Sequence, residues 1–156
     1  FSILGTVIRR ARAGARAVNY RRQGDTTTFR VSLPIRLGPY VVENTVITLR
    51  DSVNAPAPFA IDSISLAEAF GADFVCRPAR AWAIWSILTD PPIRALSRHG
   101  GSLSITQVAA VPGGHAIGGR FSFTGRRDDF YGDTLAALPI RGTFVAPLIA
   151  DPRPCS

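Results

Sequence analysis

Hydrophobic residues recur at every second position in short runs along this chain, and clusters of Gly, Pro, Asn and Asp cut the runs at short intervals. Runs rich in Val, Ile, Thr and Phe with that spacing read as β-strands joined by turns. The pattern predicts strands over residues 3–10, 15–21, 26–33, 44–50, 59–64, 81–88, 101–109, 116–124, 134–138 and 140–148. In the third of these, Phe29, Val31 and Leu33 fall on one face and Thr28, Arg30 and Ser32 on the other, the alternation of a half-buried strand. Leu103, Ile105 and Gln107 alternate with Ser104 and Thr106 in the same way. The turn Val111-Pro112-Gly113-Gly114 then leads into Gly119-Arg120-Phe121-Ser122-Phe123-Thr124, which reads as a hairpin.

Two segments break the alternation. Residues 81–88 are apolar on both faces and bounded by Pro78 and Pro91-Pro92, which limits them to strand length and predicts a strand buried on both sides. Ser65-Leu66-Ala67-Glu68-Ala69-Phe70-Gly71 pairs a capping Ser with a Glu three residues on and ends in Gly, the signature of one short helical turn. Antiparallel sheets must bury their apolar faces by stacking or closing. The expected fold is therefore all-β: a single antiparallel β-sandwich, or barrel-like, domain over residues 1–156 with at most one helical turn.

Composition narrows the function classes. With 46% hydrophobic and 19% charged residues over 156 positions, the chain has ample material for a core. Its most apolar stretch, 79–88, is short and holds Arg80 and Ser86, so no transmembrane segment is expected. Phosphate-loop, dinucleotide-binding, paired Cys-x-x-Cys, His-Glu-x-x-His and Gly-x-Ser-x-Gly motifs are all absent, and no cofactor is implied. Cys76 and Cys155 stand 79 positions apart, too far for a local metal knuckle or redox motif, which leaves a long-range disulfide or two separate thiols. We expect the disulfide, which would tie down the end of the chain. A chain that opens on Phe1 and contains no methionine is read as one that has lost an N-terminal segment, a secretory signal peptide by preference, which predicts a secreted or cell-surface address.

All 18 basic residues are arginine, and their distribution is uneven. Residues 1–36 hold eight arginines against Asp25, so the whole net charge of +7 sits in the first quarter of the chain. Arg9, Arg10, Arg12, Arg16, Arg21 and Arg22 are the candidate contact residues for a subunit or an anionic partner. Three conformations compete for residues 1–22: a basic strand or hairpin with alanines on its other face, an amphipathic helix for an anionic membrane, and a nucleic-acid arm. Gly5, Gly14 and the β-branched Thr6-Val7-Ile8 run weigh against the helix, and only Tyr20 is at hand for base stacking, which makes nucleic acid the weaker partner. A plain solvated arginine face is the bland alternative to all three.

Candidate chemistry is sparse. His99 and His115 each lie beside glycine in turn-like sequence, with no recognisable nucleophile or base alongside, and no catalytic residue is assigned. Asp128, Asp129 and Asp133 offer three carboxylates within six residues, but they lack the alternating spacing of a calcium loop and adjoin Arg126 and Arg127, so a salt-bridged hairpin tip is the simpler reading. Trp82 and Trp85 sit in the most apolar segment and are expected in the core rather than on a sugar-stacking platform.

Gly101-Ser102-Leu103-Ser104-Ile105-Thr106, then Gly118-Gly119-Arg120-Phe121-Ser122-Phe123, then Ile140-Arg141-Gly142-Thr143-Phe144 make a unit in which a Gly-x-Phe-x-Phe strand is followed by a Gly-x-Phe strand. The unit resembles that of uncharacterised secreted bacterial β-sandwich domains, many of them lipoproteins, and Gly5-Thr6-Val7 and Thr28-Phe29-Arg30-Val31 are similar to their early strands. The resemblance implies a fold class and an envelope or extracellular location, and carries no activity. Together these readings predict a structural subunit of an extracellular or cell-surface assembly, a filament for instance, that self-associates by strand addition through residues 1–22. The alternative is a secreted binding module for an anionic polymer such as an anionic polysaccharide, or for a carbohydrate.

Overall fold

The computed structural model describes residues 7–11, 14–21, 27–64, 81–88, 93–128 and 134–151. They form ten strands and no helix: β1 (Val7–Ala11), β2 (Arg16–Arg21), β3 (Thr27–Leu37), β4 (Tyr40–Leu49), β5 (Ala57–Ile61), β6 (Trp82–Ile87), β7 (Ile93–Leu96), β8 (Gly101–Val111), β9 (Gly114–Asp128) and β10 (Thr134–Asp151). The chain is all-β, as its alternation predicts. The helical turn expected at 65–71, Cys76 and Cys155 lie outside the described residues.

All ten strands join one sheet in the order β1-β10-β2-β3-β4-β6-β7-β9-β8-β5, and β10 also pairs with β9, which closes a ring of seven strands. The long β9–β10 hairpin is its spine, with pairing from Thr134 opposite Asp128 to Leu148 opposite His115. One end of the spine, Leu148–Asp151, carries β2, and the other, Arg126–Asp128, carries β7. The sheet from β2 through β7 thus leaves the hairpin at one end and returns at the other, closing diagonally on itself as a barrel must. Between those ends β8 pairs along β9 and β1 along β10.

The N-terminal strands depart from expectation in two ways. Instead of forming a hairpin with each other, β1 and β2 lie end to end on the same edge of β10, at Ile140–Phe144 and Leu148–Asp151. Both pairings are parallel, whereas every other pairing in the sheet is antiparallel.

The core fills the ring with Phe29, Val31, Leu33, Ile47, Trp85, Phe121, Phe123, Ile140 and Phe144 among others. On the inner face of the spine, aromatic rings alternate with glycines across the two strands: Phe121 stands opposite Gly142, and Gly119 opposite Phe144. A Cβ at Gly119 would lie 2.7 Å from Phe144 Cζ and 2.8 Å from the Ser104 carbonyl oxygen, so the Phe144 ring occupies the space that any side chain would need. Val46, Trp82, Leu96 and Ile64 form a second buried cluster. Trp82 and Trp85, three residues apart on β6, point to opposite faces and are both buried, so the strand is covered on both sides at that point, whereas Leu88, at the end of the apolar run over 81–88, is exposed.

Two polar devices hold the loops. Asn19 on β2 donates from Nδ2 to the Val53 carbonyl (3.0 Å) and accepts the Val53 N–H on Oδ1 (3.1 Å), copying a backbone pair and seating Val53 in the core. The Ser97 hydroxyl accepts the Ala83 N–H (3.0 Å) and donates to the Asp62 carbonyl (3.2 Å), while Asp62 Oδ2 accepts the Ala81 N–H (3.1 Å), which joins the chain after β5 to the start of β6.

These contacts generate two stability predictions. Replacing Asn19 by Ala leaves the buried Val53 N–H and carbonyl unpaired and should lower unfolding free energy in urea by about 2–3 kcal/mol, whereas Asn54→Ala, at an exposed site, should change it by less than about 0.5 kcal/mol. Gly119→Ala should destabilise by about 1–3 kcal/mol through overpacking, and pairing it with Phe144→Leu should restore part of that loss in a double-mutant cycle. Strictly additive effects would show that the ring and the glycine are not coupled.

Candidate functional site

The two layers of the barrel differ in what their outer faces offer. On β2, β3, β4, β6 and β7 the outward residues Val18, Thr28, Val46, Thr48, Trp82 and Leu96 are buried, Arg30, Ser32, Asn44, Ile84 and Ser86 are half-buried, and Arg16 and Arg94 are exposed. On β8, β9 and β10 the outward positions are open to solvent, and there the register builds a block of six residues. One row reads Ser102, Ser122, Arg141 and the next Ser104, Arg120, Thr143, each row crossing β8, β9 and β10. All six are exposed except Ser104, which is half-buried. Diagonal neighbours on adjacent strands lie about 7–8 Å apart, so Arg120 and Arg141 form a pair of forked donors surrounded by four hydroxyls.

None of the acidic residues with described side chains stands on this face: Glu43 and Asp151 are buried, and Asp51 and Asp62 belong to the segments after β4 and β5. The rows continue in register to Ala60 and Pro58 on β5 at one side, and to Ile8 and Arg10 on β1 at the other. Arg10 therefore occupies the strand position next to Thr143, in the same row as Arg120. Toward the end of β10 the outward positions turn apolar, with exposed Val145, Pro147 and Ile149.

The residues singled out in the sequence are scattered over the fold. Arg9 and Arg10 lie in β1 opposite Gly142 and Thr143, Arg16 is exposed at the start of β2 opposite Ser32, and Arg21 ends β2 opposite Thr27. Arg12 and Arg22 lie outside the described residues. Asp128 ends β9 in register with Thr134 and Arg94, while Asp129 and Asp133 lie outside the described residues. Among the described residues no three His, Cys, Asp or Glu side chains gather as a metal site, and no helix is long and apolar enough to cross a membrane. His99 and His115 are both exposed, His99 in the turn before β8 and His115 at the start of β9.

Arg120 and Arg141 escape a search for charge clusters because each is a single cation in a segment of balanced charge. The signal that finds them is the alternation itself. In Gly119-Arg120-Phe121-Ser122-Phe123 and Ile140-Arg141-Gly142-Thr143-Phe144, every second residue is polar, and pairing the two segments puts both arginines on one face.

A concave feature lies where β4 starts and β6 ends: a depression of about 310 Å3 lined by Val41, Val42, Glu43, Asn44, Ser86, Ile87, Leu88 and Arg94. Glu43 is buried there and accepts the Trp85 indole N–H at 2.6 Å, so this carboxylate is engaged with the core. With this geometry in hand, comparison with protein-family models, curated proteins and solved structures finds no match.

Proposed function

We propose that the chain is a non-enzymatic binding module, secreted or at the cell surface, that holds an anionic polysaccharide across the outer face of β8, β9 and β10. The observation that carries this reading is the six-residue block in which Arg120 and Arg141 stand among Ser102, Ser104, Ser122 and Thr143. Guanidinium groups pair with carboxylates and sulfates in a fork, and hydroxyls complete the hydrogen bonds that sugar rings require. A flat, open face suits an extended polymer, because sites for small ligands are concave. The block holds no aromatic residue to stack on bases, which favours a glycan over a single-stranded nucleic acid. Arg10, in register beside Thr143, extends the same row toward the arginine-rich N-terminal strands.

Retention on immobilised sulfated and uronate polysaccharides tests it. The native chain should bind at low salt and elute as salt rises, and Arg120→Gln/Arg141→Gln should weaken binding about tenfold, from roughly 0.2–1 kcal/mol per exposed ion pair. Unchanged retention of that variant would overturn the assignment, as would tighter retention on single-stranded DNA than on either glycan.

Assembly by strand addition rests on a different observation. β1 and β5 end the strand order, so each has one edge unpaired among the described residues. Pro58 blunts the β5 edge, whereas β1 contains no proline, which makes β1 the strand to which a neighbour would add. Removing residues 1–22 does not test this, because it deletes β2 and opens the ring. Negative-stain electron microscopy of the intact protein does: assembly predicts filaments or arrays at physiological salt, and isolated small particles at both physiological and high salt would dismiss it.

A further inference from the structure

Among the described residues the three most exposed large hydrophobic side chains, Leu37 (71%), Tyr40 (69%) and Leu88 (65%), gather at one end of the barrel. Leu37 and Tyr40 face each other across the tip of the β3–β4 hairpin, and the Leu88 N–H donates to the Val42 carbonyl at 2.8 Å, which places Leu88 beside the same hairpin. The turn between them is Gly38-Pro39, with Gly38 at φ +60°, a conformation open to glycine and followed by a residue of fixed φ. The tip is therefore a stiff turn that holds two apolar side chains out in water, and every residue from Arg36 to Tyr40 is exposed.

Among the described side chains the exposed charges beside this tip are arginines, and one of them, Arg94, stands in register with Asp128 on β9. Arg36 precedes Leu37 and its side chain reaches back toward Gly14, where a Cβ would stand 3.7 Å from Arg36 Nε. Arg16, two residues beyond Gly14 at the start of β2 and opposite Ser32, is exposed. On the other side, exposed Arg94 lines the depression together with Leu88, Ser86 and Asn44. Glu43, the acidic residue of that lining, is buried and bonded to the Trp85 indole.

We infer that the β3–β4 tip is a membrane-docking surface for anionic lipid. Leu37, Tyr40 and Leu88 enter the boundary between headgroups and acyl chains, and Arg16, Arg36 and Arg94 meet the lipid phosphates. Leu supplies the buried apolar area, and Tyr, apolar in body with a polar end, suits the interface depth. A second copy of the chain fits less well, since three side chains fall far short of the roughly 800 Å2 per partner that a stable dimer buries. This surface is separate from the β8–β9–β10 face and does not depend on it.

Flotation of the full chain with vesicles of phosphatidylcholine, with or without phosphatidylglycerol, provides the test. The chain should float with the anionic vesicles alone and lose binding as salt rises. Leu37→Ser/Tyr40→Ser should weaken vesicle binding at least about tenfold, and Arg36→Gln or Arg94→Gln about fivefold each. Arg120→Gln/Arg141→Gln should leave it unchanged, which separates this surface from the glycan face. Trp82 and Trp85 are buried, so a Leu37→Trp variant reports on the tip, and its emission should shift to the blue on anionic vesicles. No flotation at low salt, or flotation indifferent to Leu37→Ser/Tyr40→Ser, would overturn the inference. So would a dimer that this double substitution dissociates while vesicle binding stays absent.

Discussion

The register of the β9–β10 hairpin is the constraint on which the rest of the barrel depends. A slip of one residue would turn every inward side chain of the spine to solvent. Reciprocal packing works against such a slip, because Phe144 has room only over Gly119, and Phe121 has a glycine, Gly142, opposite it. With that register set, β8 and then β7 pair along one edge of the spine, and β1 and then β2 along the other. The ring closes because β7 and β2 attach at opposite ends. The Gly-x-Phe-x-Phe and Gly-x-Phe strands that stand out in the sequence are thus the two halves of one packing device.

Proline placement shows how the edges of this sheet are arranged. Pairing with β9 runs unbroken past Pro139 and Pro147, so their ring nitrogens must face the other edge of β10. On that edge Pro139 lies just before the stretch paired with β1, and Pro147 falls in the gap between β1 and β2. Pro34 follows the same rule on β3: its β4 pairing is continuous, and it lies beyond Ser32, where pairing with β2 ends. The missing donors therefore fall where the described sheet has no acceptor waiting. The same prolines explain a misreading, because Pro139 looks like punctuation between two strands, whereas 134–151 is one strand that never needed that N–H.

Alternation made the rest of the fold legible wherever one face is buried and the other wet. Leu138, Ile140, Phe144 and Ala146 are buried, while Arg141, Thr143 and Val145 are exposed. It failed where something local intervened. A bulge at Thr106, between Ile105 and Gln107, leaves Gln107 exposed and turns Val108 to the core, so the inward Gln107 that strict alternation predicts is not there. β7 is four residues long beside Pro91-Pro92, too short a run for periodicity to register. The parallel placement of β1 and β2 was not legible at all, because alternation says which face a residue takes and nothing about which strand lies beside it.

The same limit governs the candidate site. Charge counting along the chain weights residues 1–36, yet the arginines that share an open face, Arg120 and Arg141, belong to segments with little net charge. Burial then decides which faces can take a partner. The outer face of the sheet from β2 to β7 is largely covered, with Val18, Val46, Thr48, Trp82 and Leu96 buried there, while Arg16 and Arg94 stay exposed. Contact with a partner is left to surfaces that folding does not use: the wet face of β8, β9 and β10, the free edges of β1 and β5, and the β3–β4 tip. Their chemistries differ, being forked cations with hydroxyls, bare backbone, and apolar side chains with arginines nearby. The two proposed contacts, one with a glycan and one with a lipid boundary, would therefore use separate surfaces, and neither requires the core to move.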